Sequence, residues 1–327
     1  MNRPTHLPTT IPPARSPINR SALRRGFILS TLTLFFGLSQ AGRAVTPPPD
    51  GGYPGGNTAE GDGALLSRTT GVNNTAVGLS ALHLDQTGSA NTAIGQGALF
   101  FNTNSKNTAV GASALTENTT GTENTATGYF ALFGNSTGSQ NTASGVSALE
   151  GNVGGNGNTA TGFQALANNA NAGRNTANGA QALFSNRTGG DNTAAGFQAL
   201  FTNTGGFSNT AFGLQSLYRN TTGTSNTASG YQALFGNTTG ANNTAHGLVA
   251  LANNTTGGGN TACGTAALIG NTTGSNNIAL GNNAGQNLTT GSNNIDIGAL
   301  GMAAEANTIR IGKSGTQKKT LLPAFGV

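Results

Sequence analysis

One segment decides the fold of this chain, and it reads Asn226-Thr227-Ala228-Ser229-Gly230-Tyr231-Gln232-Ala233-Leu234-Phe235-Gly236-Asn237-Thr238-Thr239-Gly240-Ala241-Asn242. Close copies of it precede and follow it. With this segment included, the copies begin at Asn57, Asn74, Asn91, Asn107, Asn124, Asn141, Asn158, Asn175, Asn192, Asn209, Asn226, Asn243, Asn260, Asn277 and Asn294. Thirteen of the fourteen intervals are 17 residues long, and the interval Asn91–Asn107 is 16. A period this short and regular predicts that each copy is one coil of a stacked solenoid.

We number these copies coil 1 to coil 15 and the positions within each coil slot 1 to slot 17. The consensus is N-T-A-x-G-x-x-A-L-x-x-N-T-T-G-x-x, with glycine at slot 5 of every coil and leucine at slot 9 of thirteen consecutive coils. Glycine at slots 5 and 15 predicts two corners with positive φ, separated by short β segments. Helical repeats need about 33 residues and leucine-rich repeats at least about 20. The sequence therefore predicts an all-β fold, a two-sided parallel β-roll or β-solenoid of about fifteen 17-residue coils.

The side-chain facing can also be predicted from the repeat. Asparagine at slots 1 and 12 is expected to stack on its own copies, amide to amide, although asparagine also tolerates turn geometry. Ile295-Asp296-Ile297 alternates strictly, which predicts that slots 2 and 4 face inward and slot 3 faces outward. That facing puts Asn178, Ser229 and His246 of slot 4 in the core, an unusual set for a dry interior.

Charge and targeting features divide the chain into four parts. The sequence pI is about 9.8, but five of the 15 Lys and Arg residues precede the short apolar run 27–38. They predict a secretory signal peptide over residues 1–41, of Sec or twin-arginine type. The remaining chain has ten basic and ten acidic residues, which argues against nucleic acid as a partner. We expect a Pro/Gly-rich linker at 42–56, the β-roll repeat domain at 57–312 and a C-terminal tail at 313–327, with no transmembrane span in the mature chain.

The repeat carries few residues suited to chemistry. Acidic residues are scattered without pairing, which argues against general acid–base catalysis. His83 and His246 occupy different slots about ten coils apart, and Cys263 is most simply a small buried thiol. The sequence therefore predicts no enzyme, no catalytic, cofactor-binding or metal site, and no cofactor.

Slot 10 carries a broken column of aromatic residues, which is the candidate binding stripe: Phe100, Phe133, Phe184, Phe201, Tyr218 and Phe235. Because His83, Thr116 and Glu150 share the slot, we expect it to be partly exposed. The column either binds a partner or forms an intersubunit or core ladder.

The repeat resembles that of a known family. Ile309-Arg310-Ile311-Gly312, one 14-residue step after Ile295, and the preceding Asn-Thr-Ala-x-Gly coils resemble the head repeats of trimeric autotransporter adhesins of the YadA type. Residues 57–312 are also similar to bacterial NTAxGxxAL repeat proteins, which often precede a tail-fibre chaperone domain of the endosialidase (peptidase S74) type. The resemblance implies a left-handed, trimeric parallel β-roll that is displayed outside the cell and is adhesive. Unlike those families, this sequence is expected to form no heptad stalk, membrane anchor or chaperone domain.

These features together predict an exported, non-enzymatic structural or adhesive fibre, extracellular or associated with the cell surface or outer membrane. Because each coil buries little apolar area, we expect a homotrimer, and the partners would be matrix, glycan or cell-surface ligands. One alternative is an ice-binding β-solenoid, but slots 2 and 13 form no Thr-x-Thr array, which argues against it. Two others are a carbohydrate-active solenoid and a remnant of a longer fibre protein without its chaperone domain.

Overall fold

The computed structural model describes residues 53–313 and 315–316. In this part of the chain all regular secondary structure is β, in sixteen strands of three residues that form one parallel sheet in chain order. The strands are β1 (Thr58–Glu60), β2 (Thr75–Val77), β3 (Thr92–Ile94), β4 (Thr108–Val110), β5 (Thr125–Thr127), β6 (Thr142–Ser144), β7 (Thr159–Thr161), β8 (Thr176–Asn178), β9 (Thr193–Ala195), β10 (Thr210–Phe212), β11 (Thr227–Ser229), β12 (Thr244–His246), β13 (Thr261–Cys263), β14 (Ile278–Leu280), β15 (Ile295–Ile297) and β16 (Ile309–Ile311). The predicted β-solenoid is confirmed, whereas the signal peptide and most of the linker and tail lie outside the described residues.

Each strand occupies slots 2 to 4 and pairs with the same slots of the next coil. In β10 and β11, for example, Thr210 lies opposite Thr227 and Ala211 opposite Ala228. The amide of Thr227 donates to the carbonyl of Asn243 in the following coil at 2.8 Å, and the amide of Gly230 donates to the carbonyl of Phe212 in the preceding coil at 2.8 Å. Identical residues therefore form columns that run through the solenoid, and threonine suits the strand because its Cβ is branched.

Two buried asparagine ladders join the coils on one side of the core. At slot 12, the Asn220 amide nitrogen donates to Asn203 Oδ1 at 2.8 Å and to the Gly223 carbonyl at 2.9 Å. At slot 1, Asn226 Oδ1 accepts the backbone amide of Asn243 at 3.0 Å. The amide stacking predicted from the sequence is confirmed. The slot 1 asparagine also accepts a hydrogen bond from a backbone amide of the next coil.

The predicted facing of the strands is wrong. Alanine at slot 3 is buried in β1 to β14, and slots 2 and 4 point outward. The interior beneath the sheet is filled by the slot 8 alanines and the slot 9 leucines, so only a small residue fits at slot 3. The outward facing explains why slot 4 accepts Asn178 and His246, and it leaves Cys263 exposed rather than buried.

The second side of the predicted roll contains no strand within the described residues. Slots 6 to 11 form turns, and the slot 9 leucine has a left-handed backbone, with φ of 53° at Leu200. This conformation costs roughly 1–2 kcal/mol, which the full burial of a leucine side chain offsets by about 1.5–3 kcal/mol. The burial of slot 9 is therefore as the sequence predicts. Its left-handed backbone could not be predicted from the sequence.

Slots 5 and 15 carry glycine for different physical reasons. At slot 5 the backbone has positive φ, 141° at Gly230, as predicted. At slot 15 no positive φ occurs within the described coils, and slot 17 takes the left-handed residue instead, as at Asn242 with φ of 59°. Slot 15 favours glycine because the carbonyl oxygen of the next coil lies where a Cβ would be, as Gly223 O does for Gly206, and coil 7 carries the small residue Ala172 at this slot.

This contrast is testable in one pair of neighbouring glycines. A Cβ on Gly206 would overlap Gly223 O and approach Asn203 Oδ1, whereas a Cβ on Gly205 would lie 3.3 Å from the flexible Thr188 hydroxyl. We expect Gly206→Ala to lower the free energy of unfolding by about 2 kcal/mol or more, and Gly205→Ala to change it by less than about 1 kcal/mol. Urea denaturation of both variants measures this, and equal effects would contradict the close-approach explanation.

Candidate functional site

The slot 10 aromatics form one continuous stack and two separate contacts. Phe184, Phe201, Tyr218 and Phe235 stack with ring centroids 5.2 Å apart and interplanar angles of 3–7°. These four side chains are half-buried, which agrees with the expected partial exposure. Because each ring covers the face of the next, an external ligand meets mainly ring edges along this stack.

The other two members of the candidate stripe lie apart from it. Phe100 is buried and stacks on His83 at 5.0 Å, and Phe133 packs edge-on against Phe130 at 4.8 Å. Thr116 separates these two coils, and Glu150 and Ala167 separate Phe133 from Phe184. The six predicted residues therefore share a slot without forming a single surface.

Slot 6 carries an apolar column that the sequence analysis did not single out. From coil 5 to coil 12 it consists of Tyr129, Val146, Phe163, Ala180, Phe197, Leu214, Tyr231 and Leu248. The aromatic members occupy every second coil, and all four are 46–52% exposed. This alternation was present in the sequence, but it signals a surface only once slot 6 is known to lie outside the core.

Slot 7 lies between these two columns. In coil 5, Phe130 of slot 7 contacts Tyr129 of slot 6 at 4.1 Å and Phe133 of slot 10 at 4.8 Å. From coil 7 to coil 11 slot 7 is glutamine, and the side chains form a ladder: the Gln198 amide donates to Gln181 at 2.9 Å and Gln215 donates to Gln198 at 3.0 Å. From coil 7 to coil 11, slots 6, 7 and 10 thus form one surface strip with an amide row between two apolar columns.

Two carboxylates lie inside the solenoid, with different partners. Asp85 replaces asparagine in the slot 12 ladder and accepts hydrogen bonds from Gly88 N, Asn91 and Asn102. Burial raises the pKa of Asp85 above its ordinary value, and those hydrogen bonds oppose the rise. Asp296 replaces the slot 3 alanine in β15 and is buried. Neither of its carboxylate oxygens has a hydrogen-bond partner within the described residues.

The pKa of Asp296 is raised to about 6, first by burial and second by the charge of Glu305, while Arg310 acts in the opposite direction. Arg310 instead pairs with Glu305 at 2.7 Å. Because the folded state keeps a proton that the unfolded state has lost, stability falls as pH rises from about 4 to about 6.

Replacing Asp296 with alanine restores the slot 3 column and removes this loss. We expect Asp296→Ala to raise the free energy of unfolding at pH 7.5 by on the order of 2 kcal/mol more than at pH 4.5. Urea denaturation at both pH values measures the difference. The control is Asp191→Ala, which removes an exposed ion pair with Arg174 and should show no such gain at pH 7.5. A gain for Asp296→Ala that is the same at both pH values would contradict the buried-charge explanation.

The described residues include no group of three or more His, Cys, Asp or Glu side chains that could hold a metal ion. His83 contacts the Gly63 carbonyl at 2.9 Å, and His246 and Cys263 lie on the outer face of adjacent strands. Across residues 53–313 and 315–316, no helix is long and apolar enough to cross a membrane.

Comparison with known proteins returns neither a matching family profile nor a matching curated protein. The likeness to adhesin head repeats therefore remains a resemblance of sequence pattern.

Proposed function

We propose that this chain is an exported, non-enzymatic structural and adhesive fibre that acts by display at the cell surface or outside the cell. The observation that carries the proposal is the slot 6 column, in which eight consecutive coils present apolar side chains to solvent. Extended apolar patches on the surface of a soluble protein mark interaction sites. A solenoid presents such a patch as a line, which suits attachment to an extended surface.

We further propose that three copies pack side by side through the outer face of the sheet, as the resemblance to trimeric adhesin heads implies. Slot 2 is threonine in β1 to β13, and Glu60 is the only Asp, Glu, Lys or Arg residue at slots 2 and 4. A face without charged residues can be buried without leaving charged side chains unpaired. It would supply the apolar contact that a single solenoid, with little core per coil, lacks.

The test of this function has two readouts on the purified full-length protein. Sedimentation should give three chains per particle, and the immobilised protein should bind at least one class of matrix protein, glycan or cell-surface material. The variant Thr210→Arg with Thr227→Arg places charges on the sheet face and should produce monomers, because two buried charges have no partners there. The control Thr222→Arg, at an exposed turn position, should leave the particle mass unchanged.

Either result can contradict the proposal separately. If the unchanged protein is a monomer, the proposed trimer is contradicted. If it binds no member of the adhesion panel of matrix proteins, glycans and cell-surface material, the proposed adhesive function is contradicted.

A second function, ice binding, is favoured by the strand facing. Thr125 and Thr127 of β5, and Thr159 and Thr161 of β7, point outward together, so a short Thr-x-Thr array exists at slots 2 and 4. Thermal hysteresis of the purified protein tests it, and freezing behaviour equal to that of buffer removes it.

A further inference from the structure

The slot 6 column has a spacing of its own, twice that of the solenoid. Tyr129, Phe163, Phe197 and Tyr231 follow one another at 34-residue intervals, with Val146, Ala180 and Leu214 between them. Coils 5 to 12 contain no insertion, and their strands pair residue for residue. The four exposed rings therefore recur about every 10 Å, which is twice the strand spacing of ~4.8 Å.

The two aromatic columns differ in what they offer a ligand. At slot 10 the rings stack on each other in consecutive coils. At slot 6 the rings are two coils apart, and Phe163, Phe197 and Tyr231 take part in no aromatic pair within the described residues. Rings separated in this way can pack flat against an external ligand.

Over coils 7 to 11 the slot 7 surface beside the rings is polar and uncharged. The Gln164, Gln181, Gln198, Gln215 and Gln232 amides form the slot 7 ladder. Each amide has two N–H donors, and the ladder uses one of them. Slots 6, 7 and 10 carry no Asp, Glu, Lys or Arg from coil 7 to coil 12, so the strip matches a neutral ligand with many hydroxyl groups.

We propose that the slot 6 rings of coils 5 to 11 bind an extended β-1,4-linked polysaccharide that runs parallel to the stacking direction of the coils. In such a chain successive sugars are turned over, so the repeat is a disaccharide, and its length matches two coils. Each ring packs against the C–H face of one sugar per disaccharide. Over coils 7 to 11 the glutamine row, with one amide per coil, bonds the hydroxyls of each sugar in contact with it. The inference rests on the proposed adhesive function and names the class of surface to which the fibre attaches.

The test measures retention of the full-length protein on insoluble cellulose and on insoluble chitin, with starch as the α-linked control. We expect retention on at least one β-1,4-linked polymer and none on starch. Replacing Phe163 and Phe197 together with alanine should weaken binding by roughly tenfold for each ring. Both side chains are about half exposed, so thermal melting should be unchanged.

A register variant distinguishes binding that depends on the ring spacing from nonspecific apolar binding. The double variant Phe197→Leu with Leu214→Phe keeps the composition of the column but moves one ring by one coil. It should lose affinity by roughly tenfold, whereas the control Phe207→Leu, at an exposed ring of slot 16 outside this strip, should not. If the register variant binds as tightly as the unchanged protein, the spacing argument is overturned.

Other outcomes distinguish this inference from the proposed function. Protein that binds other members of the adhesion panel but neither cellulose nor chitin overturns the polysaccharide and leaves the adhesive function standing. If the register variant changes the number of chains per particle, slot 6 is a subunit interface and the inference fails.

Discussion

The structure depends on the vertical stacking of identical residues from one coil to the next. A buried asparagine amide is costly unless it is fully hydrogen-bonded. In this chain the partner of each slot 12 asparagine is mainly the same residue one coil away, as between Asn220 and Asn237 at 2.8 Å. A shift of one residue would break every such bond in a coil and put slot 3 alanine on the surface. The ladders therefore fix the register, and the alanine and leucine columns add the apolar core.

This constraint explains which substitutions the sequence allows. Slots that touch the coil above or below vary little: slot 5 is glycine in all fifteen coils, and slot 15 is glycine in twelve of the first fourteen. Slots 4 and 6 project away from the stack and carry varied residues, from Glu60 at slot 4 to Phe163 at slot 6. Function is therefore expected at these variable columns, because stacking does not determine what they hold.

The period, the β class and the leucine core could be predicted from the sequence, because each follows from recurrence and residue type. The strand facing could not, because the prediction relied on Ile295-Asp296-Ile297, where both neighbours of the buried position are large. Asp296 is the buried residue, at the cost of a raised pKa. The reason for glycine at Gly206 could not be predicted either. The sequence does not distinguish a glycine required by its φ from one required by a neighbouring carbonyl. The slot 6 column was missed because the outward direction of that slot depends on the turn after slot 5.

Disulfide formation between engineered cysteines tests the column-on-column stacking most directly. In a Cys263→Ser background, Thr159→Cys with Thr176→Cys places two exposed thiols at paired positions of β7 and β8. Their Cα atoms would lie about 4.8 Å apart, within the ~4.4–6.8 Å range for a disulfide. The diagonal pair Thr159→Cys with Asn178→Cys exceeds the ~7 Å limit. Mass spectrometry of proteolytic peptides should find the intrachain disulfide in the first variant and not in the second. Bonding of the diagonal pair, or of neither pair, would contradict the stacked register.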